Sequence, residues 1–108
     1  GLEFVVSDIK TLPFPDLYVD TIMACDVLEH LNWHDVQGVI NKLKLIARKK
    51  ILISLPKLGS DEAVNFKHRW LLTDGCLEEL LDYLKPWTVK TRTTGSFVLI
   101  EALAYCVR

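Results

Sequence analysis

The stretch Val19-Asp20-Thr21-Ile22-Met23-Ala24-Cys25-Asp26-Val27-Leu28-Glu29-His30-Leu31 decides how the chain is read. Thr21 to Cys25 is an uninterrupted run without charge, the pattern of a strand whose two faces are both covered by helices. Such a strand takes a central place in a parallel sheet, which makes the fold α/β. Polar groups break out where the run ends. Asp26, Glu29 and His30 follow one another at spacings of three and four, so on one helical turn they share a face. Open α/β sheets bind ligands beyond the carboxyl ends of their parallel strands, which makes Cys25 and Asp26 candidates for a site.

Working outward, Leu2 to Val6 is a short β-forming run that ends at Ser7-Asp8 and reads as a strand. Thr11 to Asp16 carries two prolines and reads as a connecting loop. Downstream, Val36, Val39, Ile40, Leu43, Ile46 and Ala47 keep the rhythm of an amphipathic helix. Asn32 or Asp35 caps it, and Arg48, Lys49 and Lys50 suit its C-terminal end. Ile51 to Leu55 is a second buried strand, stopped by Pro56, and Lys57 to Trp70 has no period and reads as a loop. Thr73 caps a helix with Leu77, Leu80, Leu81 and Leu84 on one face, and Pro86 marks its end. Trp87 to Thr93 and Phe97 to Val107 flank Thr94-Gly95-Ser96 and form an antiparallel hairpin.

The 108 residues suffice for one domain with a modest core. Half are hydrophobic and a quarter charged, a globular composition. Thirteen basic against fourteen acidic residues create no global field, which argues against nucleic acid or an anionic membrane as partner. Cys25, Cys76 and Cys106 are odd in number and lie in apolar runs, so they read as core residues of a chain kept in a reducing compartment. The longest uncharged stretch, Thr93 to Ile100, is too short to cross a bilayer, and the chain has no basic-then-apolar leader. The expected location is the cytoplasm. The first residue is Gly rather than Met, which implies that sequence is missing upstream.

Asp8-Ile-Lys-Thr-Leu-Pro-Phe-Pro-Asp16, followed by Val19-Asp20 and by Asp26-Val-Leu-Glu-His-Leu31, resembles the third- and fourth-strand region of the class I S-adenosylmethionine-dependent methyltransferases. Ile51-Leu-Ile-Ser-Leu-Pro56 is similar to the family's fifth strand, and His68-Arg-Trp-Leu-Leu-Thr73 to its later segment. Val19 stands where the family usually has Phe. The resemblance implies a Rossmann-like class I methyltransferase sheet, partial, made of strands three to seven, with a C-terminal antiparallel hairpin. Residues 1–108 would then be the C-terminal portion of a methyltransferase domain. The glycine-rich turn after strand one and the acidic residue after strand two, which hold much of the cofactor in the family, are not found.

What the family does at these positions assigns S-adenosylmethionine as cofactor. The Asp8 carboxylate accepts from the adenine amine, the Ile9 backbone N–H serves the ring nitrogen, and the backbone at Cys25 and Asp26 lies along the methionine moiety. An Asp just past a strand is equally a turn former. Asp20 reads as a brace for a neighbouring loop.

Glu29 and His30 are the candidate catalytic or acceptor-binding pair. Their favoured reading assigns no metal. The set Asp26, Glu29, His30 and His68 also resembles the metal site of small-RNA 3′-terminal 2′-O-methyltransferases, whereas Glu-His-Leu follows strand four in many methyltransferases that hold no metal. His34 reads as solvated or capping. Lys67, His68 and Arg69 with Phe66 and Trp70 either touch a phosphate or base or anchor their loop.

In the family the strands run three, two, one, four, five, seven, six. Without strands one and two, the edge at Thr21 to Cys25 is left bare, with no guarding Lys or Pro. Three functions follow as alternatives: methyl transfer to a small-molecule acceptor by a longer enzyme of which this chain is part; a noncatalytic module that forms a homo-oligomer or docks a partner through that edge; and a fragment of a metal-dependent RNA 2′-O-methyltransferase.

Overall fold

The computed structural model describes residues 4–58 and 68–104. In chain order the elements are β1 (Val19–Cys25), α1 (Trp33–Ile46), β2 (Ala47–Pro56), α2 (Asp74–Tyr83), β3 (Thr88–Thr94) and β4 (Phe97–Leu103). Two single-turn 3₁₀ helices, Ile9–Thr11 and Leu28–His30, flank β1.

The four strands form one sheet in the order β1-β2-β4-β3. β1 and β2 are parallel, with Ile22 opposite Ile51 and Ala24 opposite Ile53. β4 runs antiparallel to both β2 and β3, with Ile53 opposite Ile100 and Thr91 opposite Ile100. The alternation of side chains along each strand sends Ala24, Ile51, Ile53, Leu55, Val98, Ile100 and Ala102 to one face, where all are buried. α1 covers that face with Val36, Val39, Ile40 and Leu43, α2 adds Leu80, and Leu84 just after α2 joins them. Burying a Leu or Ile side chain contributes about 1.5–3 kcal/mol, so this one layer of contacts carries most of the stability.

The helices start and stop as local chemistry dictates. The Thr73 hydroxyl accepts a 3.2 Å hydrogen bond from the Cys76 N–H and so caps α2. α2 fades before Pro86, and the Lys44 ammonium closes its end by donating to the Lys85 carbonyl at 2.8 Å and to that of Tyr83. α1 has Asn32 in the N-cap position, without a side-chain cap bond. At the hairpin, Gly95 takes φ +56°, a left-handed turn that glycine adopts without penalty.

Several expectations need correction. Phe4 to Val6 form no strand: these residues are exposed, and no strand lies beside them among the described residues. A strand is stabilised by pairing, so an apolar run without a neighbour stays irregular. β1 lies at the edge of the sheet rather than at its centre, with Met23 67 % exposed on the uncovered face. Arg48, Lys49 and Lys50 do not close α1. The helix passes directly into β2 at Ala47, and the three cations lie on the strand. Asp20 takes up two of them: its carboxylate accepts from Arg48 Nε at 2.7 Å and lies 2.6 Å from Arg48 Nη2 and 3.8 Å from Lys49 Nζ. Asp20 therefore braces the start of β2 rather than a loop. Cys25 is exposed because it faces the uncovered side of the sheet, and Cys76 on α2 is only partly buried; Cys106 lies outside the described residues.

Candidate functional site

The carboxyl ends of β1 and β2 lie side by side, and the chain leaves β1 through an unusual bend. Asp26 adopts φ +54°, a left-handed conformation that Asp tolerates better than most residues. Its N–H donates to the Ser54 carbonyl on β2 at 3.2 Å. The bend starts the 3₁₀ turn Leu28–His30, whose first residue, Leu28, is fully buried and anchors the turn in the core.

Two backbone-directed bonds bring the segment after residue 67 against this turn. The Arg69 N–H donates to the Glu29 carbonyl at 2.7 Å, and the Trp70 indole N–H donates to the Leu28 carbonyl at 3.0 Å. Trp70 also packs edge-to-face on Trp33, with ring centroids 4.6 Å apart. Trp33 is tied to α2 in turn, its indole N–H donating to Glu79 at 3.1 Å. Trp70 thus anchors its segment; Phe66 and Lys67 lie outside the described residues.

These ties place His68 beside Glu29 and His30. His68 Nε2 is 3.9 Å from Glu29 Oε2, both side chains being almost fully buried. The His30 and His68 rings meet edge-to-face with centroids 4.9 Å apart. Glu29 is 2 % exposed, and neither of its carboxylate oxygens has a hydrogen-bond partner among the described residues. Burial pushes its pKa above the usual carboxylate range, and the charge of Asp26 adds to the shift, while His30 and His68 oppose it. Its own backbone N–H offsets part of the effect without reaching hydrogen-bond geometry. The desolvated carboxylate, an exposed imidazole and a buried one form a site suited to proton transfer or to cation binding.

Asp26, Glu29 and His30 do not share one helical face. The left-handed bend sets Asp26 apart, and among the described residues the ligand atoms that converge are those of Glu29, His30 and His68. The sequence spacing brought out Glu29 and His30. The two bonds that position His68, from Arg69 and Trp70, have no sequence signature of their own.

The proposed cofactor residues lie on the other side of β1. Asp8 is exposed, and its Oδ1 accepts from the Lys10 N–H at 2.9 Å, so it caps the turn Ile9–Thr11. Ile9 is half-buried against the core. Ile9, Leu12, Tyr18, Thr21, Ala24 and Val27 line a groove of about 380 Å³ along the free edge of β1, a size that accepts a small molecule. Cys25 opens instead on the uncovered sheet face, in a second groove with Met23, Leu52 and Leu99. His34 stands in solvent beside Asp35 and takes no part in the cluster.

Comparison with known proteins bears on the fold. Residues 1–51 match the family described as a methyltransferase domain, Methyltransf_11. A SAM-dependent methyltransferase from Aquifex aeolicus superposes with a TM-score of 0.72 at 18 % identity, over 94 % of this chain and 54 % of that one. By fold, the chain is similar to the class I methyltransferases. Its strand order β1-β2-β4-β3 occupies the last four places, four, five, seven and six, of the class I methyltransferase sheet. The small RNA methyltransferase HEN1 superposes with a TM-score of 0.72 at 17 % identity, over 89 % of this chain and 15 % of that one. The magnesium protoporphyrin IX methyltransferase of Synechocystis PCC 6803, solved with bound SAH, gives 0.62 at 17 % identity, over 93 % and 50 %. The chain thus spans about half the length of the first of these relatives. No curated protein matches its sequence. No helix among the described residues is long and apolar enough to cross a membrane.

Proposed function

We propose that this chain supplies the acceptor side of an S-adenosylmethionine-dependent methyltransferase that acts on a small-molecule acceptor. The observation that carries the reading is the Glu29–His30–His68 cluster at the carboxyl ends of β1 and β2, in a sheet that keeps the class I order.

The residues present fit the cofactor in part. The groove along the edge of β1 is lined by Ile9, Ala24 and Val27 among others. Asp8 and Ile9 would hold the adenine, and the backbone at Cys25 and Asp26 the methionine moiety. Asp8 already spends one carboxylate oxygen on the Lys10 N–H, and the adenine amine would take the other. The glycine-rich wall of the family's site has no counterpart in this sequence. When bound, the cofactor supplies a methyl group already activated by its sulfonium. What remains for the protein is to align the acceptor with that methyl and to accept the acceptor's proton. Exposed His30 is placed to meet the acceptor, while Glu29 holds a basic or protonated carboxyl next to it.

Calorimetric titration of the chain with S-adenosylhomocysteine tests the reading. Micromolar binding that is lost in Asp8→Ala supports it, and heats no larger than dilution would remove it.

Self-association is a second reading, supported by the bare edge of β1 and by Met23 exposed beside it. Pairing through that edge would extend the sheet with a second copy.

A further inference from the structure

We propose that the buried carboxyl of Glu29 anchors a protonated primary amine, so that the small-molecule acceptor of this chain carries an alkylammonium group. Naming the acceptor rests on the methyl-transfer reading above; the binding of the amine does not. Glu29 is 2 % exposed, and neither of its carboxylate oxygens has a hydrogen-bond partner among the described residues. A carboxyl left without partners in a protein interior is costly whether charged or neutral, and native structures pair such groups. Whatever completes Glu29 has to bring hydrogen-bond donors.

Three features of the surroundings narrow the ligand. The first is size: Glu29 adjoins a cavity of about 10 Å³ bounded by Leu55, Pro56, His68, Trp70 and Leu72, room for one group as large as a water molecule, such as an ammonium head. The second is sign. The charge of Asp26 reaches Glu29, so this turn presents the carboxyl groups of two residues and disfavours a ligand bearing carboxylate, sulfate or phosphate. The third is the number of donors. His68 Nε2 lies 3.9 Å from Glu29 Oε2, beyond hydrogen-bond distance, so both oxygens stay open to a ligand. An alkylammonium has three N–H donors and no acceptor, so it can satisfy both oxygens without burying a lone pair of its own, whereas a hydroxyl brings a single donor.

Access and support are both present. Leu71 also lines the cavity and is 46 % exposed, which gives an amine a way in from the surface. The Arg69 N–H holds the Glu29 carbonyl and the Trp70 indole holds the Leu28 carbonyl, and Leu28 is fully buried. A carboxyl on a turn fixed in this way loses little freedom when the amine arrives, which lowers the cost of binding. The turn follows the carboxyl end of β1, the side of an open α/β sheet on which ligands bind. An amine anchored there keeps the rest of its molecule on the side where the methyl group would be presented.

The test is a pair of titrations of the ¹⁵N-labelled chain at neutral pH, one with n-butylamine in its ammonium form and one with n-butanol, of equal length but with a neutral head. The proposal requires saturable amine-induced shifts at the Glu29, His30 and Arg69 amides and at the Trp70 indole, and at least tenfold weaker binding of the alcohol. Glu29→Gln, which preserves shape, should weaken the amine at least tenfold, with circular dichroism confirming its fold. Asp16→Asn, which removes an exposed carboxylate outside the site, should bind as the wild type does. Equal affinity for amine and alcohol, amine-induced shifts confined to other residues, no saturation, or unchanged affinity in folded Glu29→Gln overturns the proposal. The comparison of amine with alcohol uses the wild type alone and decides the matter if Glu29→Gln does not fold. Because no cofactor is present, failure of S-adenosylhomocysteine to bind would remove the methyl-transfer reading and leave the amine site standing.

Discussion

The backbone N–H of Arg69 donates to the carbonyl of Glu29 at 2.7 Å, and this one bond joins a turn after β1 to a segment distant in sequence. It explains how His68 comes to face a buried carboxylate. The Trp70 indole makes the parallel bond to the Leu28 carbonyl, so two adjacent carbonyls of the turn are each held by the same segment.

Trp70→Phe keeps most of the ring's packing on Trp33 but deprives the Leu28 carbonyl of its donor. The expected loss is about 1–2 kcal/mol, read as a lower urea midpoint with an unchanged slope. Stability equal to the wild type would show that the bond contributes nothing.

Glu29 makes the stability of the chain sensitive to pH. Its folded-state pKa is raised, so the folded chain binds a proton more tightly than the unfolded one does. Its stabilising contribution is present below the ordinary carboxylate pKa and is lost as pH rises through the raised folded value. Glu29→Gln removes this dependence. Relative to the wild type, the variant should gain about 1 kcal/mol on going from pH 4 to pH 7, measured by urea denaturation. A parallel pH profile for the two chains would contradict the assignment.

Thr73→Ala removes the α2 cap on the Cys76 N–H. A loss of about 1 kcal/mol is expected, seen as a shift in the thermal midpoint.

The edge of β1 predicts self-association. Sedimentation velocity should find dimers or larger species at micromolar concentrations, and Thr21→Lys, which places a charge on the exposed edge strand, should shift the chain toward monomer. A wild-type chain that sediments as a monomer at every concentration removes the edge-pairing reading.

What the sequence showed well was local. Thr73, the leucines at helical spacing and Pro86 bound α2, and Thr94-Gly95-Ser96 set the turn of the hairpin, because capping and turn chemistry act between near neighbours. Position in the sheet is not local. The apolar run at Thr21 to Cys25 reads as central, yet β1 is an edge here because a strand's place depends on its neighbours. The same holds for Phe4 to Val6, which are β-forming and unpaired, and for Arg48 to Lys50, which look like a helix end until the acidic partner Asp20 is seen across the strand pair. Glu29 and His30 stood out by type and spacing. The burial of one and the exposure of the other, and the arrival of His68 beside them, follow from tertiary contacts alone.

Amide chemical-shift mapping of the ¹⁵N-labelled chain with S-adenosylhomocysteine tests the central claim most directly, since the two grooves flanking β1 share few residues. The account predicts saturable shifts at Ile9, Tyr18, Ala24, Cys25 and Asp26, around the free edge and carboxyl end of β1, and their loss in Asp8→Ala. Shifts confined to the open sheet face at Leu52 and Leu99, or no shifts at millimolar ligand, would contradict it.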